Sequence, residues 1–290
     1  MFNGVDLASI TAGAKATHAG THTSTVNDSA YTNGNYAITK VNGTLFIDQK
    51  EVSLAAAKTY DGSKTLTGTQ LSITTGVGSE TLGYTLATIH SKNVGDNSSN
   101  FVDAVSLSNG SNGGLASNYK LPALSASVNN SVVLTAKALT GAIADVTTTY
   151  GTATATGAVS LSGKVGTDDV LAASTATLVS ADTSTSGQIR AGSYVQTVSA
   201  GLTGADAGNY SFAGSTTPTA NYVVNKLALT GAIAQGLSTY SNTLLAGAVS
   251  LTNTVSGDDV LASGVNIDTT GKTSTSGHLK AGVHTGIQTL

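Results

Sequence analysis

The chain has no cysteine and no tryptophan, only 2 prolines, and charged side chains at 10% of its 290 residues. Without cysteine there is no disulfide framework, no thiolate metal site and no cysteine nucleophile. Charge content this far below the globular norm would suit a membrane protein. Yet no run approaches the roughly 18 apolar residues of a spanning helix, so no membrane insertion is expected of this segment. A net charge of −3 leaves no basic patch, and nucleic acid is not an expected partner. The opening residues, MFNGVDLASI, lack the basic and then apolar order of a secretory signal.

What is abundant is glycine (34 residues), together with Thr, Ser and Asn. That mixture favours strands and tight turns, because β-branched side chains fit a pleated surface while Gly and Asn accept turn conformations. The chain also repeats itself. LTGAIA stands at 139–144 and 229–234, GAVSL at 157–161 and 247–251, DDVLA at 168–172 and 258–262, and STSG at 184–187 and 274–277. Every pair is offset by 90 positions, and Tyr60, Tyr150 and Tyr240 fall on the same step. Several separated blocks agreeing at one offset mark a tandem array.

A lysine before each block (Lys50, Lys137, Lys226) divides the chain into residues 1–49, the C-terminal part of a truncated repeat; 50–136 and 137–225, two full repeats; and 226–290, the N-terminal part of another. Both ends cut a repeat, so the chain is expected to be an excerpt from a longer array. Within a repeat the period is that of strands: Leu82, Tyr84 and Leu86 alternate, as do Val159 and Leu161. Gly, Asn, Ser and Asp clusters punctuate these runs. The Ala-rich stretch 53–60 is short and enters Thr and Gly, so it is predicted as strand. An all-β tandem array of small immunoglobulin-like β-sandwiches of about 90 residues is the expected fold. The alternatives are a β-grasp-like repeat and a continuous β-solenoid.

KTYDGSKTLTGTQL at 58–71, SKNVGDNSSNFVDAVSL at 91–107, GLTGADAGNYSF at 201–212 and GNYAITKVNGTLFI at 34–47 carry a resemblance. They are similar to the YDG and MBG domains found in tandem in very long bacterial surface adhesins of the filamentous-haemagglutinin type. The Asp-Gly after the tyrosine becomes Gly151-Thr152 and then Ser241-Asn242, so only the tyrosine persists. The resemblance implies a non-catalytic extracellular stalk at the bacterial cell surface, supporting adhesion or biofilm. It brings no catalytic residues.

Candidate sites were weighed against this frame. In the loop 202–212, Asp206, Asn209 and Tyr210 are expected to form a tyrosine corner, with Phe212 in the core; Tyr119 and Tyr36 hold the matching positions in LASNY and TNGNY. A calcium ion on Asp206, or on the pairs Asp168-Asp169 and Asp258-Asp259, is the alternative. The DDV pairs are expected to serve turns and strand entries, since adjacent strand residues face opposite ways. His18 and His22 lie about 13 Å apart on an extended strand, too far for one metal ion. Lys50, Lys137 and Lys226, with Asn35, Asn118 and Asn209, contain the parts of a Lys–Asn cross-link, but no carboxylate recurs beside them. Neither a catalytic triad nor a phosphate loop is visible. Expected partners are neighbouring repeats; head-to-tail self-association is a further expectation. A surface glycan or host protein, with Tyr31, Tyr194 and Tyr222 as platforms, is a third.

Overall fold

A computed structural model describes residues 11–13, 17–27, 35, 39–152 and 154–290. The protein is all-β, with 38% of residues in strands and 6% in helix, and no closed barrel or solenoid forms. The helical residues among those described are short 3-10 turns such as Val94–Ser99, so the long helix that a β-grasp repeat requires is not among them. The chain divides into two compact units. Unit 1 holds Met1–Leu139, Gly163–Val170 and Gly204–Ser211, and unit 2 holds Thr140–Ser162, Leu171–Thr203 and Phe212–Leu290.

In unit 1 the central strand Ser53–Thr59 pairs in parallel with Asn130–Thr135 and antiparallel with Leu71–Thr74. Its alternation is complete: Leu54, Ala56 and Lys58 point inward while their neighbours face out. Leu82–Ile89 and Val102–Asn109 form a long antiparallel hairpin whose register slips between Tyr84 and Leu86, which turns Leu86 outward. Val52, Leu54, Leu66, Ile89, Val102 and Val132 make the core. The fully buried Asn130 ties hairpin to sheet, accepting from the Val102 amide at 2.8 Å and donating to the Val102 carbonyl at 2.9 Å.

Unit 2 is built of shorter strands. Val146–Thr149 pairs in parallel with Tyr222–Asn225, whose other edge takes Gly192–Tyr194 antiparallel. Thr140–Ile143 pairs with Val159–Ser162, and Thr230–Ile233 with Val249–Thr252. Phe212 packs with Ile143, Ala176 and Val198. The GAVSL glycines are explained by contact: a methyl group on Gly157 would lie 1.9 Å from the Ala144 carbonyl oxygen, and one on Gly247 would lie 1.7 Å from that of Ala234. Both glycine amides donate to a glutamine, Gln196 and Gln288 respectively.

One feature recurs in both units. The strand that opens a repeat runs parallel to the strand that closes it, and the tyrosine at its end donates its amide across the same pairing: Tyr60 to the Thr135 carbonyl, Tyr150 to that of Asn225. Alternation of side chains is common to parallel and antiparallel strands, so the sequence pattern carries no sign of this direction.

Candidate functional site

The tyrosines on the 90-residue step are joints between repeats. Ser53–Thr59 delivers Tyr60 at its end, and the ring is buried, at 2% exposure. Its hydroxyl donates to Asp168 Oδ2 at 2.9 Å, a residue of the following repeat. The same oxygen accepts the Tyr210 hydroxyl at 2.6 Å, and the two rings meet edge to face with centroids 5.3 Å apart. Tyr210 in turn accepts the Val165 amide at 2.8 Å. Asn209 adds another link, its side-chain oxygen accepting the Val94 amide at 2.9 Å.

The Tyr-Asp-Gly signature now has a physical reading. Tyr60 makes the joint, and Asp61 pairs with the buried Lys58 at 2.8 Å. Gly62 sits at φ +78°, where a Cβ would lie 2.8 Å from Val165 Cγ1. Burial works against the Asp61 carboxylate, but Lys58 and the Ser63 amide outweigh it and hold its pKa below the ordinary value. Burial, with the bond to Asp168, pushes the Tyr60 hydroxyl well up, and the same causes raise Tyr210. The Tyr210 hydroxyl, helped by Tyr60 and against desolvation, holds Asp168 below its usual value.

The second joint, in unit 2, repeats the first. The Tyr150 hydroxyl bonds Asp258 Oδ2, again 108 residues further on, and Ser184 Oγ at 2.6 Å. Asp258 also accepts the Ser186 amide at 3.2 Å. These bonds, that of Tyr150 foremost and then those of Ser186, lower the Asp258 pKa to about 2. Here the glycine stands one residue earlier: a Cβ on Gly151, at φ +83°, would lie 2.5 Å from Val255 Cγ2. Tyr240, third in the series, bonds Ser274 and Ser276 at 3.2 Å each and is 49% exposed.

The remaining sequence-predicted residues fall as follows. Tyr119 and Tyr210 were expected to bond upstream backbone; both donate to carboxylates instead, Tyr119 to Glu80 Oε2 at 2.5 Å. That bond, with burial, raises the Tyr119 hydroxyl. Asp169 and Asp206 hold each other's loops, Asp206 Oδ2 accepting the Asp169 amide at 2.9 Å and Asp169 Oδ2 the Ala205 amide at 3.1 Å. Asp259 is exposed. Tyr36 and Tyr31 lie outside the described residues. His22 is brought to the His18 carbonyl at 2.8 Å, and Tyr194 to that of Arg190 at 2.8 Å, the matching position. Tyr222 is buried and donates to the Thr154 carbonyl. Lys50 and Lys137 pair in parallel with Tyr119 and Tyr210. Among the described residues no three His, Asp or Glu converge as metal ligands.

Sequence reasoning missed the partnership of each tyrosine with the first aspartate of the next DDV. The signal was present, since both recur at the same offset and so keep a constant separation. Chemically the arrangement ties the hydroxyl and the carboxylate to one another, which fixes one repeat against the next.

No curated protein and no solved structure is similar enough to this chain to count as a match. A family model described as the YDG domain matches residues 47–127, the stretch that contains Tyr60, Asp61 and Gly62. The chain therefore carries a YDG domain over residues 47–127.

Proposed function

We propose that the chain is a stalk: non-catalytic tandem repeats of a bacterial cell-surface adhesin, which hold a distal binding part away from the cell and support adhesion or biofilm. The observation that carries this reading is the recurring joint, a tyrosine hydroxyl on the carboxylate of the next repeat, built twice at a separation of 108 residues. A spacer needs regular, stiffened junctions between self-contained modules, and nearest-neighbour contacts of this kind set the stiffness of a repeat array. The low charge and Thr-rich faces give a surface suited to a spacer. Extracellular location follows from the resemblance to surface adhesin repeats.

A β-sandwich of 90 residues is about 35–45 Å long, so these units in line would span on the order of 100–150 Å. Small-angle X-ray scattering on the 290-residue chain is expected to give a maximum dimension in that range. A radius of gyration near 19 Å, about that of a single compact domain of this length, would overturn the stalk.

A further inference from the structure

We propose that the chain associates head to tail with a second copy of itself, the strand Gly43–Ile47 of one copy docking beside residues 236–239 of the other. The inference does not rest on the stalk reading. It rests on a pairing that each unit already contains and that both surfaces are shaped to repeat.

The acceptor is a groove of about 440 Å³ in unit 2, between 236–240 on one side and 280–284 on the other, lined by Leu237, Tyr240, Leu245, Val283 and Ile287. In the preceding repeat the matching space lies between Val146–Thr149 and Gly192–Tyr194, and the closing strand Tyr222–Asn225 fills it. Among the described residues no strand pairs with 236–239.

The donor is Gly43–Ile47. It pairs with Gly20–Asn27 in the register Gly20 to Ile47 and His22 to Leu45, while Gly192–Tyr194 pairs with the closing strand as Gly192 to Val224 and Tyr194 to Tyr222. Thus Leu45, Phe46 and Ile47 stand where Tyr222, Val223 and Val224 stand in the next complete repeat. The side-chain bonds confirm the equivalence, as His22 reaches the carbonyl four residues back and Tyr194 does the same. The edge of Gly43–Ile47 away from Gly20–Asn27 pairs with no described strand.

Transferring the observed register, Thr147 opposite Val223, sets Leu237 opposite Phe46. These are two of the more exposed large apolar side chains of the protein, at 84% and 71%. Exposed apolar residues aligned on two strand edges are the signature of strand addition. The same register sends the Tyr240 amide to the Asp48 carbonyl, as Tyr150 sends its own to Asn225.

An independent feature falls into place with it. Glu80 takes the hydroxyl of Tyr119 as Asp168 takes that of the matching Tyr210. Asp168 accepts a second hydroxyl from the tyrosine of the preceding repeat, Tyr60. For Glu80 that second donor would be Tyr240 of the docked copy, whose hydroxyl bonds only two serines in its own chain. Residues 280–284 of the acceptor and 18–22 of the donor claim the same edge of the closing strand, so one yields to the other on docking.

Sedimentation velocity on the 290-residue chain tests this. Wild type is expected to sediment faster as concentration rises, and Leu237→Lys or Phe46→Lys, each on an exposed side chain, to weaken association at least tenfold. Mixed, the two variants keep one intact groove and one intact strand between them and are expected to form a dimer that grows no further. A Tyr240→Phe chain is expected to associate several-fold more weakly than wild type. A wild type that stays monomeric up to millimolar concentration, or a mixture that associates no better than either variant alone, overturns the proposal.

Discussion

At the first joint the Tyr60 ring is sealed and stacked edge-on against Tyr210, whereas at the second Tyr150 lies half-buried beside Ser184 and Ser186. Both hydroxyls end on an aspartate of the following repeat, and both turns press a left-handed glycine against a valine, Val165 or Val255. The shared part is therefore small: a tyrosine, a carboxylate, and a glycine that lets the backbone approach. The support around it is free to change. Where a second tyrosine encloses the carboxylate, the bond is shielded; where serines do so, water reaches it.

Removing the carboxylates should expose that difference. Asp168→Ala strands two hydroxyls, those of Tyr60 and Tyr210, in a buried setting, and an unsatisfied buried polar group costs about 1–3 kcal/mol. The expected loss is about 2 kcal/mol or more, read from the midpoint of denaturant unfolding. Asp258→Ala leaves Tyr150 with Ser184 and with solvent, so a smaller loss is expected. Equal losses at the two sites would mean that enclosure by Tyr210 contributes nothing.

Acid should weaken both joints. Asp168 and Asp258 have folded pKa values below their unfolded ones, so their contribution is present above about pH 4 and lost as pH falls through the folded value, about 2 for Asp258. Tyr60 works in the opposite direction. Its folded pKa is raised above 10.0, so its contribution is complete below pH 10 and is lost as pH rises through the higher folded value. Amide exchange at Tyr60, whose N–H is held by the Thr135 carbonyl, is the local readout at both extremes. It should accelerate at each end; acceleration at the alkaline end alone would separate the strand pairing from Asp168.

Much of the fold was legible because burial imposes a period of two. Leu54, Ala56 and Lys58 follow it, and so the Ala-rich stretch is a strand as expected. Lys58 occupies an inward position although it is charged, since its amine reaches the Ser63 and Thr65 carbonyls and Asp61. The slip after Tyr84 was not legible, because a bulge changes facing without changing residue type. The joint was hidden for a different reason. Tyr60 and Asp168 are far apart in sequence, and DDV reads locally as turn chemistry, so only the shared step of Tyr60/Tyr150 and Asp168/Asp258 pointed to a bond. Repeats conserve contacts across their boundaries as firmly as within them.

The smallest effect concerns the third tyrosine turn, where the comparison can be sharpened without touching a hydrogen bond. Ser241 occupies the place of Gly151 and holds φ +74° against +83° for the glycine. An L-residue in the left-handed region costs roughly 1–2 kcal/mol, part of which glycine returns through its greater freedom when unfolded. Ser241→Gly is therefore expected to stabilise this turn by about 0.5–1 kcal/mol. The turn is closed by the Asn242 amide on the Thr239 carbonyl, as Thr152 closes on Thr149 in the joint before it. Slower exchange of the Asn242 amide in the variant is the expected result. Unchanged exchange would mean that this turn opens for lack of the valine contact that Gly62 and Gly151 receive, and backbone strain would then contribute little.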